Sequence, residues 1–277
     1  MKKILFTLLT LTLFNSCVNA ETFKFAQVTD VHYPKTGITG YEGRSFDFAI
    51  KNYNKAIDMI NNSDVEYVFF TGDVVDKSFK EVFDDFFNTT NKLNKKYYIS
   101  LGNHDSNSTN GFTKKDTLEY LKNNTPYKQN SASHYAVLNE NFIAVMLDGS
   151  NDIEMDAQGF YSKDTLEWLE KMLKENSDKK FLIFQHFPLF EPVKDSAYVH
   201  KHSTRKKENY IRLLKKYKNI VLIASGHYHV SCEKEKYGVK YYSTSAMFLE
   251  DSYYRVFEIE HDNGKVNSIT SNLIQVK

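Results

Sequence analysis

The sequence predicts an α/β domain built around a sheet with parallel members. Three observations carry that expectation. Between residues 23 and 101, apolar runs and amphipathic stretches alternate as strand, helix, strand, helix, strand, an order that needs crossover connections. Run 65–70 is apolar except for one residue, as a strand covered on both faces is. The runs also end in polar clusters, on the carboxyl side where open α/β sheets gather their ligands.

The chain has 277 residues, enough for one large domain or two small ones. No repeat, low-complexity tract or Pro/Gly/Ser linker follows Glu21, so residues 21–277 read as one domain. Tyr and Phe dominate an aromatic content of 15%, which supplies a sizeable core. The formal net charge of +1 excludes the basic footprint of a nucleic-acid binder. No oligomeric state follows from the sequence.

The first 20 residues have the layout of a secretory signal peptide: Lys2 and Lys3, an apolar stretch over 4–14, then a small polar region ending at Ala20. The apolar run is too short to span a bilayer, so no transmembrane segment is expected. Val18 and Ala20 suit a cut before Glu21 and a periplasmic or secreted product; the alternative is a lipoprotein anchored through Cys17. Cleavage after Ala20 leaves Cys232 as the single cysteine, so no internal disulfide can form. Cys232 reads as a packing residue.

In order, 23–28 is a strand running into Thr29-Asp30-Val31-His32, and 33–43 is a Gly-rich loop. Ser45 is placed to cap a helix reaching Asn61, with Phe48, Ile50, Tyr53, Ile57 and Ile60 as its buried stripe. Strand 65–70 ends in Thr71-Gly72-Asp73. A helix over 79–93 precedes strand 97–101, which ends in Gly102-Asn103-His104-Asp105. A short helix spans 117–122. Runs 133–138 and 142–147 form a hairpin, and 151–158 is a loop. Helix 163–174 is amphipathic through Leu166, Trp168, Leu169 and Leu173. Strand 181–185 delivers His186, and 187–203 is a long loop. Helix 205–217 opens on Arg205-Lys206-Lys207, a solvated start. Strand 220–224 ends in Ser225-Gly226-His227-Tyr228-His229. Runs 239–243, 253–259 and 266–269 read as antiparallel strands.

Five strand ends thus carry metal-type ligands: Asp30 with His32, Asp73, Asn103 with His104, His186, and His227 with His229. Residues i and i+2 of an extended chain share a side, so Asp30 and His32 can grip one ion together, while His227 and His229 can face one site or split between two. Glycine precedes Asp73, Asn103 and His227, where the backbone must turn or approach closely. Imidazoles and oxygens without thiolate suit Mn, Fe or Zn. The set is too large for one ion and suits two divalent ions with a shared carboxylate, as in two-metal hydrolysis at phosphorus. His134 inside a strand, His261 in a polar turn, and His200 and His202 in a Lys-rich loop are left out of the site.

Asp30-x-His32, Gly72-Asp73, Gly102-Asn103-His104-Asp105, His186 and Gly226-His227-x-His229 resemble, in order and spacing, the calcineurin-like metallophosphoesterases. The resemblance implies a four-layer α/β/β/α sandwich of two mixed sheets with a dinuclear site at one end. It implies Asp30, His32 and His229 as ligands of the first metal, Asp73 as the bridge, and Asn103, His186 and His227 as ligands of the second. It implies His104 as the residue outside the metals that protonates the leaving oxygen or steadies the phosphoryl charge, with Asp105 orienting it. Gln185 stands where the family usually has glycine before this histidine. Asp76 stands where purple acid phosphatases carry a tyrosine ligand, so no Fe(III)–tyrosinate centre is expected.

The implied activity is hydrolysis of a small phosphate ester by a hydroxide that two metals activate. Gly159-Phe160-Tyr161-Ser162 with Leu166 and Trp168-Leu169 is similar to the cyclic-nucleotide phosphodiesterase and nucleoside-diphosphate-alcohol pyrophosphatase branches, which favours a phosphodiester or pyrophosphate. The long loop, with Phe190 and Tyr198, is a candidate for stacking a base or covering the site, and equally for an exposed connector. The alternatives are a phosphomonoesterase that scavenges phosphate, or an envelope protein that holds metal without chemistry.

Overall fold

The structure is a computed structural model and describes residues 20–38, 40–41, 44–106, 111–152 and 156–277. The leader reading at 1–19 and part of the 151–158 loop lie outside them. The chain runs β1 (Glu21–Val28), β2 (Gly40–Tyr41), β3 (Arg44–Ser45), α1 (Ala49–Asn61), β4 (Tyr67–Thr71), α2 (Lys80–Thr90), β5 (Lys96–Ser100) and α3 (Lys114–Asn124). It continues β6 (His134–Val137), β7 (Phe142–Leu147), α4 (Lys163–Glu175), β8 (Lys180–Gln185), α5 (Ser196–His202), α6 (Glu208–Lys216) and β9 (Ile220–Ser225). Four strands close it: β10 (Cys232–Lys236), β11 (Val239–Ser243), β12 (Tyr253–Asp262) and β13 (Lys265–Gln275).

Two mixed sheets form, in the orders β13-β12-β1-β4-β5 and β10-β11-β9-β8-β7-β6. The period-2 geometry of strands explains why their central members are apolar throughout. In β4, Tyr67 and Phe69 face the second sheet while Val68 and Phe70 face α1 and α2. In β8, Leu182 and Phe184 face the first sheet while Phe181 and Ile183 pack under α4 and α6. Between the sheets the Phe69 and Phe184 rings stack with centroids 3.7 Å apart. Each such ring contributes roughly 1.5–3 kcal/mol by leaving water. The helices cover both outer faces, which gives the four layers.

Several local expectations are corrected. Ser45 does not cap a helix: it lies in β3, its hydroxyl bonds Asp47, and α1 starts at Ala49. Ile50 is 40% exposed, and Ala49, Asn52 and Ala56 complete the buried stripe instead. Helix α3 begins earlier than expected because Thr113 and Asp116 form a capping box. The loop 187–203 contains α5. Strand β11 is antiparallel to β10 but parallel to β9, so the tail is not wholly antiparallel. Cys232 is a free, half-buried thiol on β10. His261 is buried in β12 against Phe23 and Phe142, not in a polar turn. Among the described residues, no helix is long and apolar enough to cross a membrane.

His134 opens β6 with both ring nitrogens buried and without a hydrogen-bond partner. Burial pushes its pKa down to about 4. The folded state therefore binds this proton less readily than the unfolded chain, whose histidine titrates near 6.5. Stability carried by the neutral ring is intact above that pH and is lost as pH falls toward 4. His134→Phe is expected to flatten the fall in Tm between pH 6.5 and 4, as read by thermal melts; an unchanged acid limb refutes the assignment.

Candidate metal centre

The carboxyl ends of β1, β4, β5, β8 and β9 carry the expected ligands. Parallel pairing of β1 with β4, of β4 with β5, and of β8 with β9 puts these ends on one edge of each sheet. Hydrogen bonds then pin the two edges together. The Gln27 amide donates to the Ser225 carbonyl at 3.0 Å, and the Ser100 hydroxyl to the Phe184 carbonyl at 2.7 Å.

The backbone leaves the strands through left-handed turns. Asp30, His32, Asp73, His227 and His229 have φ of 50°, 44°, 50°, 71° and 57°, and they are five of nine non-glycine residues with positive φ among those described. Such residues cost on the order of 1 kcal/mol or more each and cluster at functional sites. Backbone bonds hold the first two: Asp30 donates to the Gly72 carbonyl at 3.1 Å and His32 to the Asp73 carbonyl at 2.9 Å. The x-spaced pairs therefore converge through turns, not through the pleat of an extended chain. Gly72 has φ of 88°, and a Cβ there would stand 2.6 Å from His186 Nδ1. At Gly102 a Cβ would overlap the Asp73 carboxylate.

All seven expected ligands come together. Asp30, His32 and His229 form one group of donor atoms lying within 4.8 Å of one another, and Asp73, His186 and His227 form another. In the first, His229 Nε2 is 3.2 Å from Asp30 Oδ1 and 3.3 Å from His32 Nε2. In the second, His186 Nε2 is 3.1 Å from His227 Nδ1 and 3.2 Å from Asn103 Oδ1. Asp73 Oδ2 stands between the groups, 3.2 Å from His186 Nε2 and 3.6 Å from His32 Nε2. Carbonyl oxygens orient two rings from behind: Thr71 O lies 2.8 Å from His186 Nδ1, and His202 O lies 3.1 Å from His227 Nε2.

Protonation follows from burial and neighbours. Burial opposes charge on Asp30, yet His229 and His186 outweigh it and hold the carboxyl at about 2. Asp73 is likewise held far down against its burial, by His186 first and then His104. Burial pushes His32 to about 4 and His227 well below the usual value, so both rings are neutral and offer a lone pair. Burial also disfavours charge on His186, but the Asp73 carboxylate raises it to about 9. Occupation of the second group by a cation must therefore release that proton.

Asp105 does not orient His104. Its carboxylate accepts four backbone N–H bonds, from Gly102 and Asp73 at 2.8 Å on one oxygen, and from Val74 at 2.8 Å and Val75 at 3.2 Å on the other. It ties the β4 and β5 loops into one unit. Burial and then the Asp73 charge push its carboxyl up to about 7, against the pull of those amides. Asp105→Ala would strand four buried donors at roughly 1–3 kcal/mol each before relaxation. The expected result is a fall in Tm of about 10 °C or more. A full loss of turnover at unchanged Tm would instead restore the orienting role.

The residue beside His104 is Asp76. Its carbonyl lies 2.9 Å from His104 Nδ1, and its carboxylate lies 3.3 Å from His32 Nδ1 and 3.8 Å from His104 Nδ1. In sequence Asp76 is marked only as a missing tyrosine. Its place three residues after Asp73, on the loop that pairs Tyr33 with Val75, was the available signal. His202, left out of the site, also reaches it: its ring is centred 5.5 Å from that of His227. No strand precedes His202, so its approach depends on α5. Phe248, from the loop after β11, closes the first group edge-on, 5.0 Å from His32 and 5.1 Å from His229. His134 and His261 lie elsewhere, as expected.

Two groups of imidazole and oxygen donors joined at Asp73 fit a pair of divalent cations. The comparisons agree. The family model for calcineurin-like phosphoesterases matches residues 23–231. A probable glycerophosphodiester phosphodiesterase, GpdQ, of Arcobacter nitrofigilis is 30% identical over 210 residues, covering 73% of this chain and 70% of that protein. The 3',5'-cyclic adenosine monophosphate phosphodiesterase CpdA of Haemophilus influenzae is 27% identical over 227 residues, covering 82% of this chain and 77% of its own. The crystal structure of a dimetal phosphatase from Danio rerio superposes with a TM-score of 0.69 at 14% identity, over 92% of this chain and 99% of that one. The strand-end donors, their convergence in groups that could hold cations and the match over most of the chain place this protein in the calcineurin-like phosphoesterase family, as a metal-dependent phosphoesterase.

Proposed function

We propose that the chain hydrolyses a phosphodiester or pyrophosphate of nucleotide type. In this reading Asp30, His32 and His229 hold one divalent ion, Asn103, His186 and His227 hold a second, and Asp73 reaches both. The observation that carries the reading is the position of Asp73 Oδ2 between His32 and His186. Two such ions supply a nucleophilic water at neutral pH and neutralise charge on the phosphoryl oxygens. His104 supplies the remaining chemistry. His104 Nδ1 lies 2.9 Å from the Asp76 carbonyl, which leaves Nε2 to carry the second proton of the ring. The protonated ring can then deliver a proton to the departing oxygen.

The diester preference is supported by the activities named for the two relatives above. It is tested by turnover of bis-p-nitrophenyl phosphate against p-nitrophenyl phosphate with Mn added. The diester is expected to turn over about tenfold faster or more. A faster monoester makes this a phosphomonoesterase, and no turnover of either makes it a metal-holding protein.

Export is part of the same proposal. It is supported by the basic start and short apolar stretch of residues 1–20 and by β1 beginning at Glu21, so that cleavage after Ala20 spares the fold. Mass spectrometry of the mature N-terminus is expected to read Glu21; an acylated Cys17 would establish the lipoprotein instead.

A further inference from the structure

We infer that the groove between β5 and β6 is a second ligand site, separate from the metal centre, and that it takes a nucleotide. The two strands are edges of different sheets on the same side of the molecule, and the segment after α3 passes between them. The groove is open to solvent and measures about 540 Å³, a volume within the range of small-molecule sites. Five rings from four parts of the chain line it: Tyr98 on β5, Tyr127 after α3, His134 and Tyr135 on β6, and Trp168 on α4. None belongs to the cation groups.

Three of the five rings are in contact with one another, one pair tilted and one stacked. Tyr98 and Tyr127 lie 4.8 Å apart, and His134 stacks on Tyr127 at 5.6 Å and 19°. Tyr135 is half exposed on β6, as is Val137 two residues on. His134 keeps both ring nitrogens without a hydrogen bond, a cost that a fold does not ordinarily bear without use.

The polar lining identifies the ligand class. It holds Lys128 and the Asn130 amide but no carboxylate; the Gln129 amide is buried and engaged by Tyr127 and Ser131. A sugar site would want carboxylates to accept from hydroxyls. Donors, one cation and flat rings fit instead a planar heterocycle that carries acceptors and a phosphate. This site needs no metal and does not rest on the substrate reading.

Trp168 is the single tryptophan of the chain, so its fluorescence reports the groove directly. The full chain is titrated with 5'-AMP, glucose 6-phosphate and inorganic phosphate, with Mn and again after EDTA treatment. A saturable change with 5'-AMP is expected in both states, with little response to the other two. Tyr135→Ala is expected to weaken binding at least about fivefold, the lower end for loss of a base-stacking ring. Asp73→Asn, which disables only the cation groups, is expected to leave it unchanged. A response that needs Mn would assign binding to the metal centre and overturn the proposal. So would equal response to glucose 6-phosphate, no response to 5'-AMP, or indifference to Tyr135→Ala. Concentration-dependent dimerisation through β6, read by sedimentation and abolished by Tyr135→Ala, would make the groove a subunit contact instead.

Discussion

His104→Ala is expected to keep its metal and lose most of its turnover. The His104 ring belongs to neither the Asp30 nor the Asp73 group, although it stands 4.7 Å from His32 and helps hold Asp73 charged, and the backbone link from His104 N to Asp73 Oδ1 at 2.8 Å survives truncation of the side chain. Removing a positioned general acid costs about 10²–10⁴-fold. The loss should depend on the leaving group. An alkyl phosphodiester needs protonation of a poor leaving oxygen and should show the full effect, while a p-nitrophenyl ester leaves without help and should show much less. Equal losses on both esters would mean that His104 only steadies charge on the phosphoryl group. Full activity on the alkyl ester would remove it from the chemistry altogether. The metal content, measured on the same preparation, keeps a binding defect from being mistaken for an acid defect.

Asp73→Asn is expected to abolish both metal retention and activity. The substitution keeps the size of the side chain and an acceptor for the His104 amide, so folding should survive, as circular dichroism can check. What it removes is the negative charge between His186 Nε2 and His32 Nε2. That charge holds His186 up at about 9 and is the element common to both groups. Loss of a charge worth several kcal/mol in a two-metal site corresponds to about 10³-fold or more in rate. Elemental analysis should find fewer than two ions per chain after dialysis. Two ions retained would refute the bridging position and leave Asp73 as a ligand of one site alone.

The periodic parts of the fold were legible in the residues. Apolar runs such as 65–70 and 181–185 become central strands because each of their faces meets a packed layer, one from the helices and one from the opposite sheet. Short-range signals were less decisive. Ser45 has the chemistry of a helix cap, but pairing of β2 with β3 claims it first. His261 sits among Glu, Asp and Asn in sequence, yet β12 carries it under Phe23 and Phe142. Strand direction was hidden in the tail, because β11 finds a parallel partner in β9, about 20 residues upstream.

The candidate site divides in the same way. Residue type and strand-end position were enough to name Asp30, His32, Asp73, Asn103, His186, His227 and His229, because such donors at the ends of apolar strands have no better use. The roles of Asp105, Asp76, His202 and Phe248 were decided only by the tertiary structure. Asp105 follows His104 in the chain, and adjacency suggested a pair. In space its carboxylate turns inward to four amides of the β4 and β5 loops, and Asp76 takes the place beside the ring. Sequence alone thus named the donor side chains that converge at the two sheet edges. Which of them hold ions, which hold each other and which hold the loops depended on left-handed turns and on crossings between sheets, where the partners are far apart in the chain and no periodic pattern records them.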